Sequence, residues 1–257
     1  MNHLQKLKWF LSAGISEIIS EVPVNRLKAV EETIEDTPAQ ATVPPAEAPV
    51  SFSKEIVSQK AIETAAAADT LDALQKALDS FTDCPLSKTA THALIGRGAL
   101  NPAVMIIGDM PDAADDKKGQ VFSGETGALL ERMLKAIDLD LNKNAYATNL
   151  IPWRPPGNRR PTDGEIAGCL PFLKREIHLV KPRCLLLFGN LTAEVLLGIT
   201  TVAKARGAWH PFTNGDTDIP ALVTFHPTNV LKMPTHRKFV WEDLKKVQEK
   251  INSEPTP

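Results

Sequence analysis

The chain has 257 residues, 43% of them hydrophobic and 23% charged, a composition that excludes fibrous and disulfide-stapled classes. Three cysteines, Cys84, Cys169 and Cys184, are too few for a disulfide framework; no apolar run approaches the roughly 18 residues of a membrane span, so a cytoplasmic location without membrane association is expected. The net charge of −2 hides an asymmetry, since residues 1–50 hold four Lys or Arg against seven Asp or Glu and residues 151–210 hold nine basic against four acidic side chains, and phosphates respond to such local excess rather than to the total.

Leu4, Leu7, Trp9, Phe10, Ile15, Ile18 and Ile19 recur among polar residues and predict a short amphipathic helix in the first twenty residues, read either as a docking segment or as a frayed terminus. Residues 36–50, rich in Pro and Ala without period, predict an extended, disordered linker. The N-terminal extension therefore covers 1–67 and the folded domain 68–257. From there aliphatic runs alternate with segments of helical period. Val104 to Ile107 predicts a buried strand and Thr126 to Ile137 a helix. Tyr146 to Leu150 predicts the next strand, followed by a helix from Thr162 to Val180 opened by a Thr cap with Glu165 three residues on. Cys184 to Phe188 predicts a third strand before a helix over Leu191 to Leu197. Ala221 to Thr224 predicts the fourth, and a helix from about Lys238 to Ile251 closes the domain. Four strands separated by helices predict a three-layer α/β/α fold around a four-stranded parallel sheet.

Open α/β sheets bind ligands beyond the carboxyl ends of their strands. Asp109, Asn149, Gly189 and His226 fall at or just after those ends, so an acid, an amide and an imidazole are expected to converge on one rim. A nucleotide-binding reading in which Gly108 and Gly189 open phosphate loops is disfavoured by the absence of a Gly-rich dinucleotide fingerprint.

Three segments in order, GDMPDAADDKKGQVFSGETGALL at 108–130, TNLIPWRPPGNRRP at 148–161 and FHPTNVL at 225–231, give the stretch from about Phe81 to Ile251 a specific likeness. It resembles the uracil-DNA glycosylase superfamily, in particular the bacterial and archaeal iron-sulfur branch often called family 4. The resemblance implies a monofunctional enzyme that flips uracil out of DNA and hydrolyses its glycosidic bond, with uracil-containing DNA, single- or double-stranded, as partner and a monomer as the working state. Asp109 stands where the family's first motif has Glu and is the expected water-positioning carboxylate, Asp115 matches a second acidic position, and His226 matches the donor to uracil O2. Asn149 matches the amide that reads O4 and N3–H, and Phe122 the aromatic that stacks on the extruded base. Backbone at Gly108 and Met110 would add donors to the base. Arg154, Asn158, Arg159 and Arg160, with Lys232 and Arg237, would hold phosphates, and Leu231 would enter the vacated stack.

Relatives in that branch bind a [4Fe–4S] cluster through four cysteines. The corresponding positions here are Phe81, Cys84, Trp153 and Cys169. Two ligands are replaced by aromatic rings that cannot coordinate iron, so no cofactor and no metal are expected, with the rings filling the volume. Cys184 is expected to be an inert core thiol. A second function class stays open: because Asp109 is one methylene shorter than Glu, the same fold could act as a catalytically weakened protein that binds DNA lesions or single strands.

Overall fold

The computed structural model describes residues 54–253. The expected amphipathic helix and the Pro/Ala-rich linker lie outside the described residues. Helix α1 (Lys54–Ala66) opens the described domain and α2 (Leu71–Ser80) follows, the latter capped by Thr70 Oγ1 accepting from the Ala73 N–H. The packed domain thus begins before residue 68, a correction to the sequence reading. Ala61, Ala65 and Ala68 are buried in the main core, but methyl groups carry so little hydrophobic weight that their three- and four-residue spacing leaves a faint periodic signal.

Short strand β1 (Arg97–Gly98) leads to β2 (Val104–Gly108), every residue of which is buried. Next come α3 (Ala113–Lys118), α4 (Gly124–Lys135) and β3 (Ala145–Asn149). The long helix α5 (Asp163–Val180) starts at the expected place, with Thr162 and Glu165 forming a reciprocal capping box. It is followed by β4 (Leu185–Phe188), α6 (Asn190–Leu197), α7 (Val202–Ala205), β5 (Trp209–Asn214), β6 (Thr217–Thr224), α8 (Pro227–Lys232) and α9 (His236–Ser253).

The strands form one sheet in the order β1-β3-β2-β4-β6-β5. Its centre is the expected parallel array, β3, β2, β4 and β6. Two antiparallel edge strands, β1 on β3 and β5 on β6, enlarge it beyond the four expected. The β5–β6 hairpin had a signal, Asn214-Gly215 at the turn, with Gly215 at φ 63°. Pro211 and Pro220 pair in register across it and break the β-branched run that marks a strand.

Alternation along the central strands feeds two cores. Met105, Ile107, Leu185 and Leu187 pack on one face with Phe172 and Ile177 of α5. Val104, Ile106, Leu186 and Phe188 pack on the other with Leu130 and Leu134 of α4 and Leu244 of α9. Both faces being dry, the strands read as continuous apolar runs, which is why they were visible in the sequence. Among the described residues no helix is long and apolar enough to cross a membrane.

Candidate active site

Gly108 pairs with Asn149 and Phe188 with Thr224 at the carboxyl ends of the parallel strands. The chain beyond those ends encloses a cleft of about 290 Å³, at the lower limit of small-ligand pockets, about 300 Å³. Asp109, Met110, Asp115, Phe122, Asn149, Asn158, His226 and Lys232, all expected from the sequence, line it. Arg154, Arg159, Arg160, Leu231 and Arg237 do not border the cleft.

Gly108 lies where these side chains come closest. A Cβ there would meet Asn149 Oδ1 at 2.5 Å, Phe122 Cζ at 2.8 Å and His226 Nε2 at 3.4 Å. The amide, the aromatic ring and the imidazole are therefore neighbours around one backbone position that tolerates no side chain.

Asn149 is 5% exposed and its Nδ2 is buried with no hydrogen-bond partner. An unmatched buried amide donor costs roughly 1–3 kcal/mol, so the Asn149 amide is a donor that a ligand in the adjoining cleft could satisfy.

His226 is the N-cap of α8. Its Nδ1 accepts from the Thr228 N–H at 3.2 Å and lies 3.1 Å from Thr228 Oγ1. A backbone N–H can only donate, so Nδ1 carries the lone pair and the neutral ring holds its proton on Nε2, the atom nearest Gly108. Burial depresses the His226 pKa below its ordinary value, and the charges of Asp109 and Asp112 oppose that only in part. The ring is thereby a neutral Nε2–H donor. It stacks at 6.1 Å on Phe122, which is 3% exposed.

Phe122 adopts φ 50°, an unusual left-handed conformation for an aromatic residue. Asp115 holds that turn. Its Oδ1 accepts from the Ser123 N–H at 2.6 Å and from Ser123 Oγ at 2.8 Å, while Oδ2 accepts from the Asp112 N–H. Burial pushes the Asp115 carboxyl up, and the Ser123 donors counter it. Both oxygens are engaged within the protein, so the geometry gives Asp115 a bracing part, whereas Asp109 and Asp112 of the cleft lining each keep one oxygen without a donor among the described residues.

Asp109 is tied differently. Oδ1 accepts from the Thr192 N–H at 2.9 Å and from Thr192 Oγ1 at 2.6 Å, and Oδ2 accepts no hydrogen bond among the described residues. Thr192 is a functional neighbour that sequence reasoning missed. It lies 83 residues from its partner, and no local pattern announces such a contact.

The basic loop divides. Arg159 makes a bidentate pair with Glu165, at 2.6 and 2.8 Å, and Arg160 pairs with Glu194 at 2.7 Å. Burial raises Glu165, but the Arg159 and Thr162 donors outweigh it and hold the carboxyl below its ordinary value. Arg154 bonds only the neutral Asn158, through Nε. Arg154, Lys232 and Arg237 thus have no acidic partner among the described residues. Leu231 is 38% exposed and Met233 53%, placing apolar side chains at the surface just past the His226 turn.

At the expected cluster positions, Phe81 and Trp153 stack at 6.3 Å, with Phe172 edge-on to both. They are 5% and 2% exposed. Cys84 and Cys169 are both fully buried and are neighbours; burial holds the Cys169 thiol well above its ordinary pKa, whereas the Cys169 thiol beside it draws Cys84 below its own. A pair of thiols with aromatic rings at the other two positions does not supply the ligands of an iron-sulfur cubane, and among the described residues no group of three or more His, Cys, Asp or Glu side chains is placed to hold a metal. Cys184 is buried at the start of β4, its thiol donating to the Ala103 carbonyl.

Residues 95–245 match the Uracil DNA glycosylase superfamily. The chain is 31% identical over 187 residues to a type-4 uracil-DNA glycosylase of Sulfurisphaera tokodaii, covering 70% of this chain and 84% of that protein. It is likewise 31% identical over 192 residues to one of Saccharolobus solfataricus, covering 73% and 89%. A type-4 enzyme of Archaeoglobus fulgidus is 29% identical over 186 residues, covering 70% and 93%.

Proposed function

The chain belongs to the uracil-DNA glycosylase superfamily, and from that membership we propose that it removes uracil from DNA by hydrolysing the N-glycosidic bond, leaving an abasic site for base excision repair. The observation that carries this reading to the cleft is the buried, unpartnered Asn149 Nδ2 beside the His226 Nε2 atom and the Phe122 ring.

A uracil turned out of the helix stacks on Phe122. Asn149 Nδ2 donates to O4 and its Oδ1 accepts from N3–H, whereas cytosine would set donor against donor and acceptor against acceptor. As the N1–C1′ bond lengthens, its electron pair moves onto the base and negative charge gathers on O2. The His226 Nε2–H donates to that oxygen, with the backbone N–H of Met110 in support. Positive charge develops at C1′, facing Asp109. A water held by Asp109 forms its O–C1′ bond as the N1–C1′ bond breaks, and its proton passes through the carboxylate to solvent, from which the departed uracil anion is protonated.

The cofactor-free state belongs to the same proposal. Phe81 and Trp153 supply by packing what a cluster would supply by ligation, and no step above uses a metal. DNA would be held by Arg154, Asn158, Lys232 and Arg237, with Leu231 filling the gap left in the stack. Arg159 and Arg160 would shape the loop through their carboxylates.

The deciding experiment incubates the purified protein with a uracil-containing oligonucleotide, assays free base, and assays strand breaks before and after alkali. Release of uracil with strand cleavage only after alkali is expected. Retention of the DNA without base release would point instead to the lesion-binding reading.

A further inference from the structure

We propose that Thr192 is the positioning residue for Asp109, fixing the carboxylate so that its second oxygen is left for water; the proposal rests on the glycosylase reading. The geometry is specific. Helix α6 has Gly189 at its N-cap, so it lacks the side-chain oxygen that ordinarily accepts from the N–H three residues on. Thr192 is that third residue, and its N–H is satisfied instead by Asp109, just beyond the neighbouring strand β2, at 2.9 Å. The Thr192 hydroxyl adds a second donor to the same Oδ1, at 2.6 Å.

Gly189 completes the seat. A Cβ on it would meet Asp109 Oδ2 at 2.5 Å and Oδ1 at 2.8 Å. The missing side chain therefore serves two ends: it leaves the helix end uncapped and leaves room for a carboxylate to cap it. With Oδ1 held by two donors of one residue, the side chain cannot rotate without losing both, and Oδ2 stays in place without a protein donor. A shorter acid needs such a brace, because a free Asp would sample rotamers that carry Oδ2 away from the sugar. Thr192 is itself fully buried, so it cannot touch DNA and acts only through Asp109.

The test compares Thr192→Val and Thr192→Ser with the wild type in single-turnover uracil release, alongside DNA affinity and melting temperature. Val keeps the backbone bond and the shape but removes the hydroxyl. The expected result is a ~10- to 100-fold slower release, with affinity for uracil-containing DNA within about 2-fold. Ser is expected to recover most of the rate. In an Asp109→Asn background, where no carboxylate remains to be aimed, Thr192→Val is expected to add no further loss.

An unchanged rate in Thr192→Val, or an equal further loss in the Asn background, would overturn the proposal. So would a Ser variant as slow as Val. A wild-type protein that releases no uracil would instead overturn the glycosylase reading beneath it, so the two failures are separable.

Discussion

In the proposed reaction Asn149 and His226 each meet the base through a single atom, and each assignment can be tested by changing that atom. Asn149→Asp replaces the buried Nδ2 donor with a second acceptor facing O4. Uracil release is expected to fall by at least ~10²-fold, since sites built on matched buried donors discriminate by larger factors still, and the uracil-over-cytosine preference is expected to vanish in a base-release assay. His226→Ala removes the Nε2 donor at O2, and a loss of about 10²–10³ in kcat is expected with little change in DNA affinity. Asp109 separates charge from capping. Asp109→Asn keeps an oxygen for Thr192 and should lose release while holding its melting temperature, whereas Asp109→Ala also uncaps α6 and should cost about 1 kcal/mol more in denaturant unfolding.

Between β3 and α5 sits a buried acid that the reaction does not use. Glu176 is 4% exposed, and its carboxylate accepts from the Tyr146 hydroxyl, the Gly96 N–H and the Thr148 hydroxyl. Burial pushes it up from 4.5 to about 7 against those donors, and burial followed by the Glu176 charge raises Tyr146. The native state therefore holds a proton that the unfolded chain has released between pH 4.5 and about 7. Stability from this group is complete below 4.5 and is lost as pH rises through about 7, with ~3 kcal/mol at stake. Denaturant midpoints are expected to fall from pH 5 to pH 8 in the wild type. In Glu176→Gln, which mimics the protonated acid, that slope should flatten; an unaltered slope would remove Glu176 as its source. The α3 to α4 turn follows the same logic of elements holding residues, since Asp115 and Ser123 maintain the φ of Phe122.

At the scale of the whole molecule, the proposed DNA contact draws on few charges. With Arg159 committed to Glu165 and Arg160 to Glu194, the expected phosphate-binding cations without an acidic partner among the described residues are Arg154, Lys232 and Arg237. Affinity is expected to fall with salt with a slope of roughly −3, about −0.9 for each phosphate neutralised on duplex DNA. Lys232→Ala should reduce that slope by about one. Arg159→Ala should leave the slope unchanged and lower stability by about 1 kcal/mol, because it strips the buried Glu165 of its charged partner. Slopes altered the other way round would reverse the two assignments. Purified protein is expected to show no iron-sulfur charge-transfer absorption, and full activity in the presence of chelator.

Much of this was legible in the chain. The central strands are buried on both faces, so each stands out as an unbroken apolar run, and the capping box at Thr162 and Glu165 marks the start of α5. Asp109, Asn149 and His226 could be located because topology forces whatever follows a parallel strand onto the same rim. Less legible were α1, whose buried face is alanine, and the edge strands, where prolines and short length erase the pattern.

The sequence by itself determined which residues stand at the ends of the strands, since that depends on order along the chain. Only the tertiary structure decided which acid is free and which arginine is not. Asp109 and Asp115 are both carboxylates of one motif, and Arg154, Arg159 and Arg160 share one loop; what separates them is the partner each meets. Thr192, 83 residues from Asp109, reaches it by the folding of the sheet rather than by any spacing written in the chain.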